Sequence, residues 1–326
     1  MSLKAPFPYF GGKSTVSSKV WSAIGQPKHY IEPFFGSGAV LLNRPNHDPT
    51  NHVETVNDKD GFICNVWRAL QYAPDDVAKF CDWPVNHADM SSRKLTLLAS
   101  EANLLQNLIT DDNFFDSKIA GYWIWLACVW IGGGMTTQTK NETVRRPHLT
   151  NAGVGVHTIG KIPHIGNAGR GVQEPYNTNI YAWFRELSER LRYVRVVCGD
   201  WKQVCGGKWQ DNLGNVGIFF DPPYSDTDRG SLYHHEDFNV AKEVAEWCVE
   251  RGKIPTYRIV VCGYDSEHSI LDEAGWKRER WKTTGGYGNI TQDAENLSRG
   301  QDNRKREIIW YSPHCYKNTL FDREEA

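Results

Sequence analysis

An uninterrupted apolar run, Val216-Gly217-Ile218-Phe219-Phe220, leads directly into Asp221-Pro222-Pro223-Tyr224. Such a run reads as a strand, and the paired prolines then fix φ and remove two amide donors in series. In open α/β sheets ligands bind outside the carboxyl ends of the strands, so this strand delivers a carboxylate and two rigid residues to a ligand-binding edge. The local carbonyls are left to face a ligand, and Tyr224 adds a flat π surface. Two acceptors beside a ring suit an aromatic amine. The plainer reading is a strand closed by a Pro-Pro turn with a solvated Asp.

The rest of the chain supplies the sheet. A helical segment over 14–24 precedes a short strand, HYIEPF (29–34), and a helix over 37–43. A second strand, HVETVND (52–58), closes on an acid and is followed by a helix over 61–72. Strand, turn, helix, strand, acid is the grammar of a nucleotide-binding βαβ unit. The alternation then stops. Residues 75–130 carry helical patterns, chiefly 91–108 and 117–130, and the aromatic run YWIWLACVW (122–130) has core spacing. Residues 131–175 hold nine glycines and no periodicity, and their basic residues exceed their acidic ones by three, in a chain of net charge −2. A loop of that length is uncommon inside a compact domain unless functional or disordered. The βα pattern resumes with a helix at 181–193, then strands at 194–200 and 216–224, a helix at 238–251 and a strand at 257–264. A helix near 266–274 and strands around 276–283 and 306–312 complete it, with a polar loop at 284–305.

Three more motifs fall at strand ends. Glu32-Pro33-Phe34-Phe35-Gly36-Ser37-Gly38 forms a strand-to-helix turn whose glycines allow close approach to a ligand. Asp58 ends the next strand, where an acid can accept two ribose hydroxyls, although it could equally cap the following helix. Tyr9-Phe10-Gly11-Gly12-Lys13-Ser14 resembles a phosphate loop only superficially: the leading glycine of that motif would stand at position 7, which is Phe7. Phosphoryl transfer loses its best support.

Composition narrows the class further. The near-zero charge gives no global field for a polyanion, so nucleic-acid contact would need a local patch. Eight scattered cysteines without a C-x-x-C pair argue against structural zinc and against a disulfide scaffold, and we expect no metal. No apolar leader or membrane-length run is seen, which predicts a cytoplasmic location, in a bacterial cell or a phage-infected host.

Taken in order, PYFGGK, EPFFGSG, ND, GD and DPPY resemble the Dam-type (D12) class of DNA adenine methyltransferases, over about 1–75 and 180–312. The resemblance implies a Rossmann-like class I methyltransferase sheet, helices on both faces, and a reversed hairpin at its edge. It implies S-adenosylmethionine as cofactor and double-stranded DNA as substrate, with a cognate restriction enzyme as a conceivable partner. Residues 1–74 and 179–326 would form the catalytic domain. Residues 75–178 would form an inserted, mainly helical target-recognition domain.

By the same resemblance Tyr9, Gly12 and Lys13 lie near the cofactor, and Glu32, Pro33, Phe34, Gly36 and Gly38 surround its methionine part. Asp58 takes the ribose, and Asp200, in the CGDW stretch, lies beside the cofactor's adenine. Asp221, Pro222, Pro223 and Tyr224 form the catalytic site. Lys140, Arg145, Arg146 and Arg170 are the candidate DNA contacts. The family's chemistry needs the adenine flipped out of the duplex. The motif describes an amine acceptor rather than the polymer around it. RNA adenine transfer, DNA cytosine-N4 transfer and a catalytically silent cofactor- and DNA-binding protein therefore stay compatible with the sequence, although tyrosine in fourth place, and aspartate rather than serine in first, favour adenine.

Overall fold

A computed structural model describes residues 3–7, 9, 13–83, 87–129, 135, 179–223, 239–265, 267–281 and 307–316. Seven strands form one sheet: β1 (His29–Glu32), β2 (Val53–Asp58), β3 (Arg195–Cys198), β4 (Val216–Phe220), β5 (Tyr257–Tyr264), β6 (Lys277–Arg280) and β7 (Glu307–Tyr311). Their order is β3-β2-β1-β4-β5-β7-β6. The first five run parallel, while β7 is antiparallel to both β5 and β6. The chain moves outward from β1 to β3, then crosses back to place β4 on the other flank of β1. That reversal is a topological switch point, where open α/β sheets bind ligands.

Alternation along the central strands feeds two cores. Tyr30, Phe219, Val260, Cys262 and Ile309 face one layer, whereas Ile31, Ile218, Phe220, Ile259, Val261, Ile308 and Trp310 face the other. The first layer is covered by α1 (Ser17–Ile24), α3 (Gly61–Tyr72) and α7 (Ile180–Leu191), with α2 (Ala39–Leu42) behind the β1 turn. The second is covered by α8 (Lys202–Cys205), α9 (Val240–Arg251) and α10 (Ser269–Glu273). The outer strand β6, Lys-Arg-Glu-Arg, is largely exposed, and its charges discourage pairing with another chain.

The predicted bounds of α3 and β5 coincide with the structure. The predicted strand 216–224 is shorter, because β4 stops at Phe220 and the prolines beyond Asp221 lack the N–H groups a ladder needs. Helices α4 (Pro74–Cys81), α5 (His87–Thr110) and α6 (Ser117–Val129) carry the described part of the segment assigned to target recognition. They pack on α3 and α7 and contribute Val77, Leu97, Ile124 and Trp125 to the same core as Trp67 and Phe184. The aromatic run in α6 is core, as its spacing predicted. All eight cysteines are free thiols, six of them buried. Among the described residues no helix is long and apolar enough to cross a membrane.

At the amino edge of the sheet, Glu54 of β2 is buried between Arg190 of α7 at 2.7 Å and Arg44, just past α2, at 3.0 Å. Arg190 also donates to the Leu41 carbonyl at 2.9 Å, so one carboxylate ties β2, α2 and α7 together. Burial alone would raise the Glu54 pKa, but hydrogen bonds and charge from Arg190, with His47 and Arg44, outweigh it and hold it below the ordinary value. Removing one partner of such a cluster strands buried charge of the other sign. Glu54→Ala should cost about 3–5 kcal/mol of stability, read as a lowered urea midpoint.

Candidate active site

The site forms where the carboxyl ends of β1, β2, β3 and β4 meet. Beyond Glu32 the chain turns through Pro33–Gly38 and enters α2. Gly36 has φ +46° and Gly38 φ +63°, both left-handed values that disfavour side chains. Packing closes the same positions: a Cβ on Gly36 would lie 2.6 Å from Tyr9 Cε1, and one on Gly38 would lie 2.7 Å from the Phe35 ring. The turn is pinned from below by the Trp67 indole, which donates to the Gly36 carbonyl at 2.9 Å and packs against Phe35 and Phe7.

Asp58 caps this turn. Its Oδ2 accepts the Gly36 N–H at 2.9 Å and its Oδ1 accepts the Asp60 N–H at 3.0 Å. Burial raises its pKa to about 6, with the charge of Asp60 adding to the shift and backbone donors opposing it. The helix cap that Asp58 might have supplied belongs to Asp60, whose side chain accepts the Phe62 N–H at the start of α3. Asn57 acts one residue earlier. Its side-chain amide donates at 3.0 Å to both the Pro33 and the Gly199 carbonyls, and its backbone carbonyl accepts the Phe35 N–H at 2.9 Å. It fastens the ends of β1, β2 and β3 to one another, a role the sequence did not disclose.

Asp221 follows β4, beside β1. Lys13, at the start of α1, reaches across the sheet edge and places Nζ 3.0 Å from Asp221 Oδ2, with only 4% of its side chain exposed. Its ammonium also lies 5.8 Å from the ring centre of Trp281, the buried residue after β6. Burial pushes the Asp221 pKa up, and Lys13 offsets part of that rise through charge and a hydrogen bond. Glu32 is buried as well. It accepts the Tyr30 hydroxyl at 2.9 Å, and burial holds its pKa well above the usual carboxylate range, with Tyr30 opposing the shift and the charge of Asp221 reinforcing it.

Of the residues singled out in the sequence, Tyr9, Lys13, Glu32, Pro33, Phe34, Gly36, Gly38, Asp58, Asp200, Asp221, Pro222 and Pro223 lie among the described residues. Lys13 sits against Asp221, the acid after β4. Phe34 packs on Phe220, with ring centres 6.3 Å apart, behind that acid. Asp200 is exposed and accepts the Lys202 N–H in the turn before α8, while the neighbouring Gly199 N–H donates to the Asp58 carbonyl. Gly12, Tyr224, Lys140, Arg145, Arg146 and Arg170 lie outside the described residues, as do the histidines at 234 and 235.

A mixed α/β sheet with a reversed strand near one edge, a glycine turn after β1, an acid after β2 and an Asp-Pro-Pro end after β4 is consistent with a methyltransferase. Residues 9–103 match the family described as D12 class N6 adenine-specific DNA methyltransferase. No curated protein gives a significant match to the chain. Over that stretch the chain is similar to the D12 class, and the similarity supports an enzyme that methylates adenine N6 in DNA with a methyl donor.

Asn57 bears on whether the site can assemble at all. Asn57→Val should leave the Pro33 and Gly199 carbonyls without their donor and cost about 2–4 kcal/mol. A thermal or urea melt checks this, and unchanged stability would remove Asn57 from its fastening role.

Proposed function

We propose that the methyl donor is S-adenosylmethionine, held along the carboxyl ends of β1, β2 and β3, and that the acceptor is an adenine turned out of duplex DNA to meet Asp221. The observation that carries this reading is the adjacency of the two strand ends: β1 and β4 pair in parallel register, Ile31 opposite Ile218, so the glycine turn and Asp221 open onto one edge.

The chain's own residues fit such a donor. Asp58 keeps a partly exposed carboxylate at the end of β2, suited to ribose hydroxyls. The left-handed turn at Gly36 and Gly38 seats the Tyr9 and Phe35 rings directly against the backbone, which fixes the turn beside the donor's place. Glu32 and Asp221 are two acids in a corner where Lys13 is the neighbouring cation, a balance that favours a positively charged guest. When bound, the donor supplies a methyl group on a positively charged sulfur.

Asp221 and the Pro222 carbonyl would accept the two hydrogens of the adenine amine. Holding both in place draws the nitrogen lone pair out of ring conjugation and aims it along one line, so catalysis rests on alignment and electrostatics. The burial that raises the Asp221 pKa also makes it the better acceptor for the proton the amine must lose. Tyr224 would stack on the base and offset part of the few kcal/mol spent on flipping it. No covalent intermediate on the enzyme is needed. We further assign DNA contact to residues 131–175, with Lys140, Arg145, Arg146 and Arg170 as phosphate and base contacts.

Two outcomes follow. Asp221→Ala should keep donor binding, measured by calorimetry, while transfer of labelled methyl to DNA falls at least about a hundredfold; undiminished turnover would remove Asp221 from the mechanism. Donor affinity should weaken as pH falls through about 6, because protonating Asp58 removes the charged acceptor the ribose needs. A pH titration of S-adenosylmethionine binding checks this, and Asp58→Asn should flatten the dependence.

A further inference from the structure

Lys13 stands in an unexpected place for a residue grouped with the cofactor turn. Its ammonium donates to Asp221 Oδ2 at 3.0 Å, on the carboxylate that the reading above gives to the adenine amine. One wall of its pocket is the buried indole of Trp281, and the Lys13 side chain is itself almost fully buried. An ammonium carries three donors and no acceptor; a carboxylate is acceptor only. Side by side, Asp221 and Lys13 therefore offer an acceptor next to a donor. The complementary ligand edge is a donor next to an acceptor, which on adenine is the N6 amine flanked by ring nitrogen N1 or N7.

We propose that Lys13 is a specificity-determining residue for the target base, donating to the ring nitrogen beside the amine while Asp221 holds the amine itself. This rests on the assignment of Asp221 to the amine given above. The pair then selects a base by two adjacent groups of opposite polarity. A keto oxygen in the amine position would set acceptor against acceptor at Asp221, and thymine and the O6 edge of guanine are rejected on that ground. Cytosine presents the matching pattern only on its N3 side; adenine presents it on both flanks of the amine. A buried site built to hydrogen-bond one group rejects an analogue lacking it, because the site's own polar group is left unpaired.

The test uses the full-length protein with S-adenosylmethionine and pooled synthetic duplexes, randomised around a central adenine, 7-deazaadenine or 1-deazaadenine. The bases compete in one tube, and the methylated nucleosides are quantified by mass spectrometry after digestion. The wild type should prefer adenine over one of the two analogues by about 10–100-fold, the cost of a lost charge-assisted hydrogen bond. In Lys13→Met the preference should collapse to within about threefold. The ratio is internal to each sample, so partial misfolding of the variant does not enter it. If transfer by the variant is too slow to measure, the same ratio is read from equilibrium binding of the three duplexes by fluorescence anisotropy, wild type against variant. Equal use of both analogues by the wild type overturns the proposal. So does an unchanged preference in Lys13→Met, which would leave Lys13 with Asp221 as its sole concern. Absence of methyl transfer to the adenine pool by the wild type is a different result: it overturns the assignment of the site, and this inference with it.

Discussion

Everything at the active edge depends on one side-chain amide. Parallel strands fix their neighbours along their length but leave their carboxyl ends as loose turns, each with backbone groups that the ladder no longer satisfies. Asn57 takes up two of those groups, from the turns after β1 and β3, while sitting in β2 itself. Three turns that are far apart in sequence then move as one body. Asp58 is the next residue, so its carboxylate inherits that rigidity and meets the Gly36 N–H from a fixed position. A site built on strand ends can hold a ligand to within a fraction of an ångström only if the ends themselves are joined.

The second constraint is electrostatic. Three acids, Glu32, Asp58 and Asp221, are all pushed toward neutrality by burial. Like charges gathered at low dielectric repel, and the protein tolerates this with a single described cation, Lys13, against Asp221. The opposite edge of the sheet is arranged otherwise. There Glu54 is outnumbered by two arginines and is well satisfied. One edge of the sheet holds its buried charge in balance, while the other gathers three acids around one described cation.

Much of this was legible before any coordinates. The Asp-Pro-Pro strand end and the glycine turn are contiguous in sequence, and each states its own local geometry, so both could be read directly. Helix α3 carried a clear signal because its twelve residues present an apolar face, although the cap the sequence allowed to Asp58 is supplied by Asp60. What could not be read depends on contacts between distant segments. Nothing in the sequence around Lys13 says that its partner is the acid after β4, since that pairing exists only once α1 has packed across the sheet. The role of Asn57 was hidden for the same reason, as its acceptors are two backbone carbonyls, which carry no sequence signal. The end of β4 was overrun because hydrophobic pattern continued to suggest strand where the prolines had already withdrawn their donors.

The strand order has a consequence for how the enzyme comes into being. Strand β6 pairs with β7 and with no other strand among the described residues, and β7 occupies the slot next to β5. Until the last strand has been synthesised, β6 has no neighbour to join, and Trp281 at its end has no fixed seat beside Lys13. The five parallel strands β1 to β5 can thus pair while the Lys13–Asp221 ion pair still lacks the Trp281 ring beside it. The wall beside Lys13 is contributed by chain that follows all five parallel strands in sequence.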